Sequence, residues 1–132
     1  PLLKEDNDKF VKLAADSQYS LCAVGDEIEA QVVVADDIAP QGGFRLGSIC
    51  DDRGTRVRVT LDGLQATPGT GVIAVGDYVV AGTVVARGTT LGNAHPKVCK
   101  ATAAGNTLNY KWRLVGLDGT TAVGQTAVIE RI

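Results

Sequence analysis

Apolar and polar positions alternate along most of this chain in short runs, punctuated by glycine and aspartate. From Thr55 to Leu61, Val57, Val59 and Leu61 fall on one side and Arg56, Arg58 and Thr60 on the other. That period of two predicts a half-buried strand. Glu27 to Ala35 repeats it, with Ile28, Ala30 and Val32 opposite Glu27, Glu29 and Gln31. Shorter runs at Tyr19 to Val24, Phe44 to Cys50, Lys97 to Thr102 and Thr126 to Ile132 predict further strands, as does Leu108 to Leu117 with Tyr110, Trp112 and Leu114 on one face. The most apolar stretch is Gly71 to Gly92. Two β-branched runs, Val72 to Val75 and Tyr78 to Val85, meet at Gly76-Asp77, and Gly82 interrupts the second. Stiff β-branched side chains favour a pleated surface, so this stretch predicts a central hairpin or tight corner. Turns are expected at Asp51-Asp-Arg-Gly54 (a hairpin), Pro40-Gln-Gly-Gly43, Pro68-Gly69, Ala103-Ala-Gly-Asn106 and Asp118-Gly119. Roughly eight or nine strands at this spacing predict an all-β small barrel or sandwich.

Residues 1–18 break the pattern. They lack glycine, carry much of the charge, and place Phe10, Leu13 and Ala14 at i, i+3 and i+4. That spacing predicts a short helix or an irregular N-terminal arm, followed by one β domain over residues 19–132. The apolar side of such an arm is too narrow for a core of its own, so Leu2, Leu3 and Phe10 are its expected anchors on the domain or a partner.

Composition narrows the function classes. A net charge of −2 argues against nucleic acid, which calls for a basic stripe. The charge is uneven: residues 1–66 hold twelve acids and seven bases, and residues 67–132 hold three acids and six bases. Six aromatic residues among many Val, Thr and Ala give a core of small branched side chains. Cys22, Cys50 and Cys99 lack C-x-x-C spacing and read as three reduced thiols. No apolar run approaches 18 residues, so a soluble chain with no membrane partner is expected.

One phrase recurs. Ala23-Val-Gly-Asp26, Ala74-Val-Gly-Asp77 and Ala122-Val-Gly-Gln125 differ at one position, and each leads into an apolar strand. A glycine able to take positive φ, followed by a side chain that can bond the turn, is turn chemistry rather than a solenoid repeat.

The search for reactive groups is short. Asp36-Asp37 and Asp51-Asp52 lie at turn signals, where neighbouring acids point apart. The single histidine, His95, precedes Pro96 and has no G-x-S-x-G serine to serve. Paired with Cys99 it lacks an orienting third group. No glycine-rich stretch has the phosphate-loop pattern, and no zinc-ligand spacing exists. An enzyme, a cofactor and a bound metal are therefore not expected. Arg56 and Arg58 on one strand, and Trp112 on another, are instead candidate contact residues for a partner or for self-association.

Several longer phrases carry a resemblance. They are Phe10-Val-Lys-Leu-Ala-Ala-Asp-Ser-Gln-Tyr-Ser-Leu21, Ala23-Val-Gly-Asp-Glu-Ile-Glu29, Val59-Thr-Leu-Asp-Gly-Leu-Gln-Ala-Thr-Pro-Gly-Thr-Gly71, Val75-Gly-Asp-Tyr-Val-Val80, Pro96-Lys-Val-Cys-Lys-Ala101 and Ala122-Val-Gly-Gln-Thr-Ala-Val-Ile-Glu-Arg-Ile132. Together they resemble the small capsid decoration, cement or stabilisation proteins of tailed bacteriophages. The resemblance implies a β-rich protein made in the bacterial cytoplasm that sits on the capsid exterior, commonly as a homotrimer. Its partners would be the major capsid protein and itself, and its arm would reach onto the lattice. The alternatives are another virion β protein at the head–tail junction or tail, and an SH3-like or OB-like binding module.

Overall fold

The computed structural model describes residues 2–14, 18–35, 47–62, 73–101 and 110–132. The turns expected at Pro40–Gly43, Pro68-Gly69 and Ala103–Asn106 lie outside them, as do the Asp36-Asp37 pair and the start of the Phe44 strand.

Among the described residues nine strands form two sheets. They are β1 (Phe10–Leu13), β2 (Tyr19–Leu21), β3 (Ala30–Ala35), β4 (Gly47–Cys50), β5 (Arg56–Leu61), β6 (Val79–Ala81), β7 (Lys97–Lys100), β8 (Trp112–Leu117) and β9 (Thr126–Arg131). The first sheet has the order β2-β1-β3-β4 and the second β6-β7-β5-β9-β8. All neighbours are antiparallel except β5 and β7, which run parallel with Leu61 opposite Val98. The fold is all-β and sandwich-like, with no closed barrel. The edges of the second sheet do approach each other, through a single bridge between Tyr78 and Arg113.

The core lies between the sheets. Phe10, Cys22 and Ile28 meet Val57, Val59, Leu61, Val79, Val98, Trp112, Leu114, Ala127 and Ile129 there. The alternation of 57/59/61 holds as expected: all three are buried in this core, and Arg56 and Arg58 are exposed. Ile28, Ala30 and Val32 are buried too, but Ile28 joins this core while Ala30 and Val32 belong to another cluster, so the three do not share one side as expected. Burying each valine or leucine contributes about 1.5–3 kcal/mol. A second cluster, Val11, Ala30 and Val32, lies on the other face of the first sheet beneath Leu2, Tyr19, Leu21 and Ile49. A third, Val80, Cys99 and Ala101, packs with Tyr78 and Tyr110. So β6 and the middle of β7 are apolar on both faces, and Tyr110 does not share the face of Trp112.

Three further expectations need correction. Phe10, Leu13 and Ala14 do not form a helix. Phe10–Leu13 is a strand that pairs with β2 on one side and β3 on the other, and the only helical turn before it is the 3₁₀ turn Lys4–Asp6. Backbone pairing on both sides outweighs a helical spacing carried by three residues. The Gly76-Asp77 turn does not close a hairpin: β6 is three residues long and pairs with β7, and no strand precedes the turn among residues 73–75. Asp51–Gly54 is a turn but not a hairpin, because it carries the chain from β4 in one sheet to β5 in the other.

The recurrent phrase is built as one device, found five times among the described residues: Asp6-Asn-Asp-Lys9, Ala23-Val-Gly-Asp26, Asp52-Arg-Gly-Thr55, Ala74-Val-Gly-Asp77 and Ala122-Val-Gly-Gln125. In each, the fourth residue's N–H donates to the first residue's carbonyl at 3.0–3.3 Å. The third residue has φ between 68° and 99°. Its N–H donates to one residue of a neighbouring strand or strand end (Val32, Ala81, Arg131, Leu114 and Leu61 in turn) at 2.7–2.9 Å, and that residue's N–H donates back to the fourth carbonyl at 2.8–3.0 Å. Two residues thus oppose one, which is the arrangement of a G1 bulge. In two of them the aspartate also acts as expected: a carboxylate oxygen of Asp26 accepts from Ala23 N–H at 2.7 Å, and one of Asp77 from Ala74 N–H at 2.8 Å.

Candidate functional site

The long interruption between β6 and β7 shapes a concave feature. Gly82 N–H donates to Lys97 carbonyl at 2.8 Å, so residues 83–96 leave and re-enter the sheet at one point. That is the geometry of an Ω-loop, a compact surface loop whose ends meet. Two tight turns shape it, Ala86–Thr89 and Leu91–Ala94, each closed by a backbone hydrogen bond. The loop stands over Phe10 and Ala81, and Val84, Val85, Leu91, Ala94 and Pro96 line the space between. The cavity measures about 90 Å³. Thr83, Ala94 and Lys97 are exposed and His95 half-buried, so these four mark its mouth.

A buried ion pair fastens the loop. Asp6 is 0% and Lys9 2% exposed, and Lys9 Nζ donates to Asp6 Oδ1 at 2.7 Å. The ammonium also donates to Ala86 carbonyl at 2.9 Å. Asp6 Oδ1 accepts from Gly88 N–H at 3.0 Å, and Oδ2 from Leu3 N–H at 2.8 Å. Burial opposes ionisation of Asp6, but the bonds from Lys9, Leu3 and Gly88 outweigh it and hold the carboxyl below its ordinary value. The first residues of the chain are thus strapped to the Ω-loop by charge-assisted bonds.

Nothing in the charge pattern of residues 1–18 signals this pair. An Asp and a Lys three apart read as a solvated face, and only the closeness of residues 86–88 makes them a clamp.

The sequence-selected contact residues are not brought together. Trp112 is 0% and Phe10 4% exposed, and their ring centroids lie 6.1 Å apart in the core. Neither offers surface to a partner, which corrects their selection. Their size makes them core fillers, because small branched side chains leave gaps that only large rings span. Leu2 packs on the Val11–Ala30–Val32 cluster. Leu3 lies so close to Gly88 that a β-carbon there would sit 3.2 Å from Leu3 Cδ1. Arg56 and Arg58 are exposed, but paired within the chain. Arg56 Nε stands 3.4 Å from Glu130, and Arg58 pairs with Asp118. Asp118 is held below its ordinary value by the Thr126 hydroxyl first and Arg58 second.

Burial pushes the Cys22 thiol up to about 12, with Asp26 adding to it. Burial likewise pushes Cys99 up to about 11, with Asp62 adding. Both thiols are free and buried, and Cys50 is free and half-buried. Asp51 and Asp52 are exposed on their turn. Among the described residues no group of three His, Cys, Asp or Glu side chains is placed to hold a metal. None of the described helices is long and apolar enough to cross a membrane. Comparison with protein-family models, curated proteins and solved structures finds no match for this chain.

Proposed function

We propose that this chain is a structural protein of a tailed-phage head: a homotrimer that decorates the outside of the assembled capsid and bridges major capsid protein subunits. The phrases from Phe10 to Ile132 suggest that reading, and one observation of the fold carries it. The valines at the tips of the three Ala-Val-Gly corners point outward, Val24 at 51%, Val75 at 57% and Val123 at 70% exposure. The second position of such a turn accepts nearly any residue, so the turn does not require valine. Each corner is stapled to a neighbouring strand by two backbone bonds, which holds its apolar tip in place before contact. Rigid presentation lowers the entropy lost on docking. A lattice that repeats a modest contact many times gains avidity from it. The mechanism is mechanical: bridging contacts resist outward movement of the subunits.

The test has two parts. The mass in solution should be that of a trimer, and the protein should cosediment with expanded heads that lack it. Replacing Val24, Val75 and Val123 together by serine should leave the fold intact and reduce head binding at least tenfold. Wild-type protein that stays monomeric and fails to bind heads would sink the reading.

A further inference from the structure

We propose that the Ω-loop cavity is a docking pocket for one aliphatic side chain of a partner polypeptide, recognised together with an acidic residue next to it. That the polypeptide belongs to the capsid rests on the reading above; the chemistry of the pocket does not.

Size sets the first part. An apolar cavity of about 150 Å³ stays dry and takes up benzene. The about 90 Å³ here suits a smaller branched group, such as the isobutyl of leucine. The walls are mainly apolar, with Phe10 and Ala81 below and Val84, Leu91 and Ala94 around, and the buried Lys9 also lines them. Water in such an apolar pocket is readily displaced, so an inserted methyl group gains by leaving water.

Charge sets the second part. Lys9, Lys12, Lys100 and Lys111 each pair with a carboxylate, on Asp6, Asp26, Asp77 and Glu29. Lys97, exposed at the mouth, has no ion pair among the described residues. His95 lies beside it, near enough to Asp118 to help lower that carboxyl. Asp62 accepts Thr83 N–H at 2.7 Å. The mouth therefore presents a cation suited to a carboxylate on the incoming chain.

A partner polypeptide fits better than a free small molecule. Pockets for drug-sized ligands run to about 300–1,000 Å³, so a group of this size held alone binds only weakly. A side chain delivered by a macromolecule adds its contact to those of the surrounding surface. The clamp made by Asp6 and Lys9 keeps the loop at the right height.

Methyl-detected NMR titration of the folded protein tests this with a capped glycyl-leucyl-aspartyl-glycine peptide. Saturable shifts are expected at Val84, Leu91 and Ala94. The asparagine analogue should bind roughly threefold or more weakly at low salt. Lys97→Glu should reverse that preference, and Ala94→Phe, which plugs the mouth, should abolish binding of both. Absence of saturable shifts, or unchanged binding by a folded Ala94→Phe variant, overturns the pocket. In head cosedimentation, Ala94→Phe should bind more weakly than wild type; equal binding overturns the pocket as a capsid contact. Wild type that binds the peptide but no heads keeps the pocket and removes the capsid reading.

Discussion

Asp6 and Lys9 show what one pair can decide. Both side chains are almost wholly buried, and between them they accept or donate four hydrogen bonds, three of them to backbone. Removing one partner of such a pair leaves the other buried and uncompensated, at about 3–5 kcal/mol. Asp6→Asn is therefore expected to lower stability by about 3 kcal/mol at neutral pH in urea unfolding. The sign with pH follows from the folded carboxyl lying below its ordinary 3.8. The ionised form is favoured in the fold, so its contribution is complete above that value and lost as pH falls through the lower folded one. Wild type should lose stability on that acid limb, and the Asn variant should show a shallower fall. Equal slopes would mean that the pair does not control acid unfolding. Asp6→Leu with Lys9→Met should recover little of the loss, because it leaves Leu3 N–H, Gly88 N–H and the Ala86 carbonyl without their partners.

At the scale of elements, the five stapled corners set where strands begin. Four of them place glycine at positive φ, and a β-carbon built on Gly25, Gly54, Gly76 or Gly124 would meet nothing within 4 Å. Alanine there should cost about 1–2 kcal/mol from backbone strain alone, and asparagine should restore part of it. Gly82 differs. Its β-carbon would stand 2.8 Å from Asp62 Oδ2, 2.9 Å from Asp62 Cβ and 3.1 Å from Lys97 carbonyl carbon. Gly82→Ala should therefore destabilise through collision, with no rescue by Asn. Chemical denaturation of the two series would separate the mechanisms; rescue by Asn at position 82 would contradict this account. The corners were partly legible in sequence. Ala-Val-Gly followed by Asp or Gln announced three of them, because a glycine and a turn-bonding side chain there have few other uses. The Asp52 corner was read as a hairpin, since a turn residue does not tell which sheet the next strand joins. The Asp6 corner uses Asp8 at φ 68°, a conformation Asp tolerates but does not advertise.

At the scale of the molecule, the N-terminal segment is what joins the parts. Residues 2–9 strap onto the Ω-loop, and β1 lies inside the first sheet while Phe10 enters the common core. An arm free of the domain would be removable; this one is not. Deleting residues 1–13 should abolish cooperative thermal unfolding and the dispersed NMR spectrum, since it removes Phe10, Val11 and the pairing partner of both β2 and β3. A truncated chain that still melts cooperatively would show that the second sheet folds alone.

The sequence by itself determined the strand character of the chain, the inward and outward residues of β5, and the turn use of its glycines. Those features depend on period and local backbone chemistry, which neighbours in the chain settle. Only the tertiary structure decided that Phe10–Leu13 is a strand, that Gly76-Asp77 closes no hairpin, and that Trp112 fills the core. It alone brought Asp6 and Lys9 to residues 86–88 and opened a cavity beneath the Ω-loop. Each of those depends on groups many residues apart meeting in space, and a period of two is silent on which strand pairs with which.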